Sequence, residues 1–195
     1  MERLRRDFTT VGIVLMVVGI LINVVVSRIV VVLSLPLYLD SIGTIFVGAL
    51  AGPWLGALTG ILSNLIAAFL GNPANFIPYI PVAAVIGFLA GVFSRYGWFK
   101  TWWQFILAGV ITGVIGALLS APITAYVNSG VVGTGMDVLT AAFRSMGFST
   151  LTANFLQGIS TDPLDKAISY LLVYSVIQAL PSRYLDRFPR GEFVR

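Results

Sequence analysis

Apolar residues fill this chain in long runs, and polar residues collect where those runs stop. The first run extends from about residue 10 to 33 and is rich in Val and Ile. Others cover about 41–51, 53–70, 77–94, 104–126 and 163–181. Several reach the roughly 18 residues that cross a hydrocarbon core as a helix. Gly52-Pro53 parts the second run from the third, and Gly71-Asn72-Pro73-Ala74-Asn75 parts the third from the fourth. Both are stop-and-turn sequences. The pattern predicts an all-α, polytopic membrane protein: a single integral membrane domain over 1–195 with six spans, the second of them short. The opening run is too long for a signal-peptide core and lacks a small-residue cleavage pattern, so it is expected to stay as a span.

The stretch from 127 to 161 breaks the pattern. Its segment 136–146 sets Met136, Leu139, Phe143 and Met146 on one helical face and Asp137, Thr140 and Arg144 on the other. Too short to span, it predicts an interfacial or re-entrant helix in the outer loop between spans five and six. Span six is expected to begin at Pro163, a residue suited to a first helical turn.

Composition agrees: 57% of residues are apolar and 10% charged, against about a quarter charged in soluble domains. The net charge of +4 reads as topology rather than nucleic-acid binding. Arg3, Arg5, Arg6, Arg95, Lys100, Arg183, Arg187, Arg190 and Arg195 flank the ends assigned to one side, which the positive-inside rule makes cytoplasmic. Both termini are then cytoplasmic, in a multi-pass protein of the cell inner membrane. With neither Cys nor His, thiol and imidazole chemistry and most transition-metal sites are excluded. Gly130-Val131-Val132-Gly133-Thr134-Gly135 has no Gly-Lys-Ser/Thr after it and is no P-loop. No enzyme activity, catalytic residue, metal or cofactor is expected.

The unusual polar groups gather toward the outer half. Arg28 lies near the outer end of span one, where Asp40 could neutralise it across the loop or where it could reach a ligand. Lys166, Tyr170, Tyr174 and Gln178 recur every fourth residue on one stripe of span six. Lys166 could pair with Asp162 four positions earlier, or it could face a guest. Outer loops add Asn72, Asn75, Tyr79, Tyr126, Asn128, Asn154 and Gln157, ordinary turn formers that also suit a small polar ligand. Gly56 with Gly60, Gly109 with Gly113, and Gly116 with Ser120 are spaced for close helix contact, within the bundle or with a partner subunit.

Asp40-Ser41-Ile42-Gly43-Thr44, followed by Gly48-Ala49-Leu50-Ala51-Gly52-Pro53-Trp54-Leu55-Gly56-Ala57-Leu58-Thr59-Gly60, resembles the span-two to span-three region of S components, the substrate-binding subunits of energy-coupling factor (ECF) vitamin transporters. Ile77-Pro78-Tyr79-Ile80-Pro81 and the six-span layout extend the likeness over most of the chain. The resemblance implies a six-helix bundle of S-component type that captures a small vitamin-like ligand near its outer surface. It also implies work with a coupling subunit and ATPases in the bilayer. By position, Asp40, Asn72, Asn75, Tyr79, Asn128, Asp162, Lys166 and Tyr170 are the expected ligand-binding residues. S components commonly show Ala-x-x-x-Ala on span one, whereas span one here has no alanine, and Gly12 is followed by Met16. Bulky side chains would hold a partner helix away. The same fold, resembling a vitamin-uptake-like sensor, would instead signal to a kinase.

Overall fold

The computed structural model describes residues 7–71 and 75–194, and every regular element among them is helical. In chain order these are α1 (Thr10–Val32), α2 (Ile42–Ala51), α3 (Pro53–Leu70), a 3-10 turn (Ile77–Tyr79), α4 (Ile80–Arg95), α5 (Trp102–Tyr126), α6 (Asp137–Ser145), α7 (Thr150–Ala179), α8 (Ser182–Leu185) and a last 3-10 turn (Gly191–Phe193). Helices α1, α3 and α5, and α4 with the turn before it, are long and apolar enough to cross a membrane. Helix α2 has ten residues, about 15 Å and so about half the hydrocarbon thickness. It is nearly enclosed, with α1, α3, α4 and α7 all against it.

The helices form two groups. In one, α1 to α4 pack on one another; in the other, α5 lies along α7. Small residues let the backbones touch. A methyl group on Gly43 would stand 1.9 Å from the Gly19 carbonyl oxygen, and one on Gly87 would stand 2.1 Å from that of Gly56. Gly60 meets Ala83, while Gly109 and Gly113 meet α7 at Ala167 and Pro163. These glycine pairs therefore seat helices of the same chain. Gly116 departs from the spacing argument: a methyl group there would meet nothing within 4 Å.

Polar pins hold the first group in register. Asn23, buried midway along α1, donates to Thr44 Oγ1 (2.7 Å) and Ser63 Oγ (2.9 Å) and accepts from the Gly43 amide (2.7 Å). Each polar atom of its amide thus has a partner, as burial demands. At the end of the bundle near the termini, Arg190 grips Asp7 Oδ1 with Nη2 (2.7 Å) and Nε (3.2 Å). Its backbone amide donates to the Leu50 carbonyl (3.0 Å). Residues 182–194 fold back on the bundle, with Leu185 and Val194 buried.

The expected start of span six needs correction. Helix α7 starts at Thr150, thirteen residues before the expected start of span six, and Pro163 lies inside it. Ser149 caps it, its Oγ accepting from the Thr152 amide at 3.2 Å. Proline removes one rung of the helix ladder, but packing against Gly113 and, one turn earlier, of Gly158 against Ala117 keeps the helix continuous. The tertiary contact overrides the local start signal. Burial at α6 follows neither predicted face: Met136 at its start is 1% exposed and Thr140 4%, while Met146 at its end is 70% exposed. Among its helical neighbours α6 meets only α7 with several contacts.

Candidate functional site

Between the two helix groups, at the end away from residues 7 and 190, lies a cavity of about 240 Å³. Its walls come from both groups: Thr44 of α2, Gly60 and Ser63 of α3, Val82 and Ile86 of α4, Gly116 and Ser120 of α5, and Asn154, Gln157, Asp162 and Lys166 of α7. The loops at 37–41, 75–79 and 132–134 also border it. The open space at Gly116 is part of this cavity.

Lys166 is the electrostatic hub. Its ammonium donates to Asp165 Oδ2 at 2.7 Å and to Asp40 Oδ1 at 3.0 Å. Asp165 is fully buried, and its other oxygen accepts the backbone amides of Tyr38 and Leu39, each at 2.9 Å. One carboxylate thus ties α7 to the loop after α1, where Leu39 takes a left-handed backbone (φ 47°). Of the two roles open to Arg28, pairing with Asp40 is not formed; its guanidinium donates to the Leu70 carbonyl at the cavity rim. Nor is the alternative local pair between Asp162 and Lys166 formed, because Asp40 and Asp165 hold the ammonium.

The remaining loops are fixed by similar means. Asp137, at the start of α6, accepts the backbone amides of Val132 (2.9 Å), Gly133 (2.8 Å) and Thr134 (3.2 Å). That carboxylate locks the loop bordering the cavity, where Gly133 has φ +81° and suits a residue without a side chain. Tyr79 reaches Thr124 Oγ1 at 2.7 Å and so joins the turn before α4 to α5. In the loop after α1, burial pushes the Tyr38 phenol well above its usual pKa, and the negative charge of Asp162 pushes the same way. Its contact with the Gln157 side chain opposes both.

Of the eight expected ligand-binding residues, Asp40, Asn75, Tyr79, Asp162 and Lys166 border the cavity together. Asn128 stands behind Tyr79, donating to its hydroxyl at 3.4 Å, and is not a wall. Tyr170 is also outside the walls, which corrects its expected role: it is wholly buried, bonded to Thr112 at 3.0 Å and stacked on Phe99 at 5.6 Å. One turn of helix separates it from Lys166, enough to sink it into the packed interior. Asn72 lies outside the described residues. The cavity also takes in Tyr38, Ser41, Asn154 and Gln157, which were not among the eight. Asn154, Gln157 and Thr161 precede Asp162 and Lys166 at helical spacing, a signal readable once residues 150–161 are taken as helix.

No family model matches the chain, and no curated protein or solved structure matches it.

The site therefore combines aromatic walls, an ionic hub centred on Lys166 and polar atoms still free to bond. Asn154 Oδ1 and Ser41 Oγ are buried with no hydrogen-bond partner, an arrangement that costs about 1–3 kcal/mol per group unless something fills it. The geometry is suited to holding a small molecule. Neither a Ser-His nor a Cys-His pair can be built from this composition.

Proposed function

We propose that this chain is a six-span membrane protein that binds a small, flat, polar, vitamin-like molecule from the outer side, as the substrate-capture S component of an ECF-type uptake system. The observation that carries the reading is the cavity of about 240 Å³ with unpartnered Asn154 and Ser41 atoms among its walls. A guest supplies the bonds that water supplies to such groups elsewhere. The six spans are α1, the short α2, α3, α4 with its leading turn, α5 and α7. Basic residues around Arg95, Lys100 and Arg183 to Arg190 support cytoplasmic termini and an outward-facing cavity. The motif from Asp40 to Gly60 supports the S-component resemblance. Binding needs no chemistry by the protein itself; energy for release would come from a coupling subunit and its ATPases.

A second reading, ligand sensing through a kinase partner, is favoured by α1. That helix has no alanine and turns Val14, Val17, Leu21 and Val25 outward, which keeps a partner helix from close approach.

Native mass spectrometry of the detergent-purified protein tests binding: a retained small molecule is expected, lost or weakened in Lys166→Ala. Reconstitution with coupling subunit and ATPases then separates the roles. ATP-dependent uptake identifies the transporter, and ligand-dependent kinase activity without uptake identifies the sensor. A cavity that retains nothing from any growth medium removes both.

A further inference from the structure

Asp162 has no settled partner. It is 7% exposed and borders the cavity, and no ion pair reaches it among the described residues. Among the described residues, the one side-chain donor within hydrogen-bond reach of it is the Thr161 hydroxyl, at 3.4 Å. That hydroxyl has a single proton, and the Gln157 carbonyl stands closer, at 2.9 Å. The Gln157 side-chain amide in turn donates to Thr161 Oγ1 at 2.7 Å. The Thr161 proton is thus used along the helix, and the Asp162 carboxylate faces the cavity without a donor of its own.

Its surroundings lean the same way. Asp40, Asp162 and Asp165 share one ammonium, that of Lys166, which Asp40 and Asp165 already hold. Arg28 is at the rim, exposed and turned to the Leu70 carbonyl. Asp137 is occupied by loop amides. Around the cavity the groups with no firm partner are the Asp162 carboxylate, Asn154 Oδ1 and the Ser41 hydroxyl, which can act either way. The spare cationic N–H donors belong to Arg28, at the exposed rim, and to Lys166, already held by two carboxylates. A buried carboxylate without a donor is costly, and a bound cation removes that cost. Tyr38, Phe76 and Tyr79 line the same space, and aromatic faces attract cations.

We propose that the guest is a flat ring bearing a cationic nitrogen with N–H donors, such as an amidinium or a protonated aminoheterocycle, docked on Asp162. This rests on the cavity being a binding site, as argued above, and adds the charge of what it binds. A metal ion is the poorer occupant. The Lys166 ammonium sits between the other two carboxylates, and the described residues hold no group of three or more His, Cys, Asp or Glu placed for one.

The test uses the full chain in lipid nanodiscs with matched probes: benzamidine, benzamide and benzoate, and the naphthalene analogues of the same three. Calorimetry and thermal shift at neutral pH read their binding. The amidinium members should bind at least about tenfold more tightly than the amides, as expected for a charge-assisted hydrogen bond, and the carboxylates should bind weakest. Asp162→Asn should shrink the preference of amidinium over amide to within about twofold. Asp162→Ser serves if the asparagine variant does not fold. Preference for amide or carboxylate, or a cation preference that survives both substitutions, overturns the inference and leaves the cavity a binding site of another kind. If none of the six binds, the charge of any molecule found by native mass spectrometry decides: a cation supports the inference, and a neutral or anionic guest overturns it. If none binds and none is retained, the binding reading itself fails.

Discussion

The two ends of the bundle treat buried charge differently. Near the termini, Asp7 and Arg190 face each other through two hydrogen bonds, and the Asp7 carboxylate also accepts the Trp54 amide at 3.4 Å. Each charge there answers one other, and the ends of the described chain are closed on Gly52. At the cavity end, three carboxylates stand around one ammonium and one of them is left over. The first arrangement is what a structural clasp needs. The second is incomplete as a clasp, and incompleteness next to open space is what sets a binding site apart from a packed interior.

Substitutions can break or sharpen this contrast. The largest effect should follow removal of the hub. Lys166→Met strands the buried Asp165 and should cost about 3–5 kcal/mol, read as a lower unfolding temperature in detergent. Next, Asp7→Asn and Asp162→Asn should part company. The first weakens the grip on Arg190 and should cost about 1.5–3 kcal/mol, the worth of hydrogen bonds to a charged group. The second removes an unpaired buried charge and should leave the ligand-free protein as stable or more so. Equal losses in the two variants would erase the distinction between the ends.

Glycine substitutions give a similar pair. Gly43→Ala would drive a methyl group into the Gly19 carbonyl and force α1 and α2 apart, and should cost about 1–3 kcal/mol through overpacking. Gly116→Ala meets open space, so stability should hold while probe binding falls, measured by calorimetry. The smallest effect concerns pH. The unfolded chain releases the Tyr38 proton near pH 10, whereas the buried phenol keeps it to higher pH. The unfolded state then binds fewer protons, so stability falls as pH rises above 10, by at most about 1.4 kcal/mol per unit from this group. Tyr38→Phe should flatten that alkaline loss in unfolding experiments.

Much of the scaffold was legible in the pattern of apolar runs, because each run is long and its breaks carry Gly and Pro. The helix from Thr150 was not. Asp162-Pro163 is a good local start signal, and only the contact with α5 through Gly113 and Ala117 turns it into mid-helix sequence. That single error left Asn154 and Gln157 as loop amides instead of helix-borne wall residues, and made Lys166 with Asp162 look like a local pair. The true partners of Lys166 include Asp40, 126 positions away, a pairing that no spacing rule reaches. Tyr170 failed for a different reason: a stripe of every fourth residue runs along the helix, not into one space, so its successive members descend from the cavity into the packed interior.

The void beside Gly116 has an evolutionary consequence. Because that position supports no neighbour, one codon change could resize the chamber without disturbing the framework around it. Close cousins of this polypeptide could therefore diverge in the bulk of the compound they admit while their helices stay superimposable.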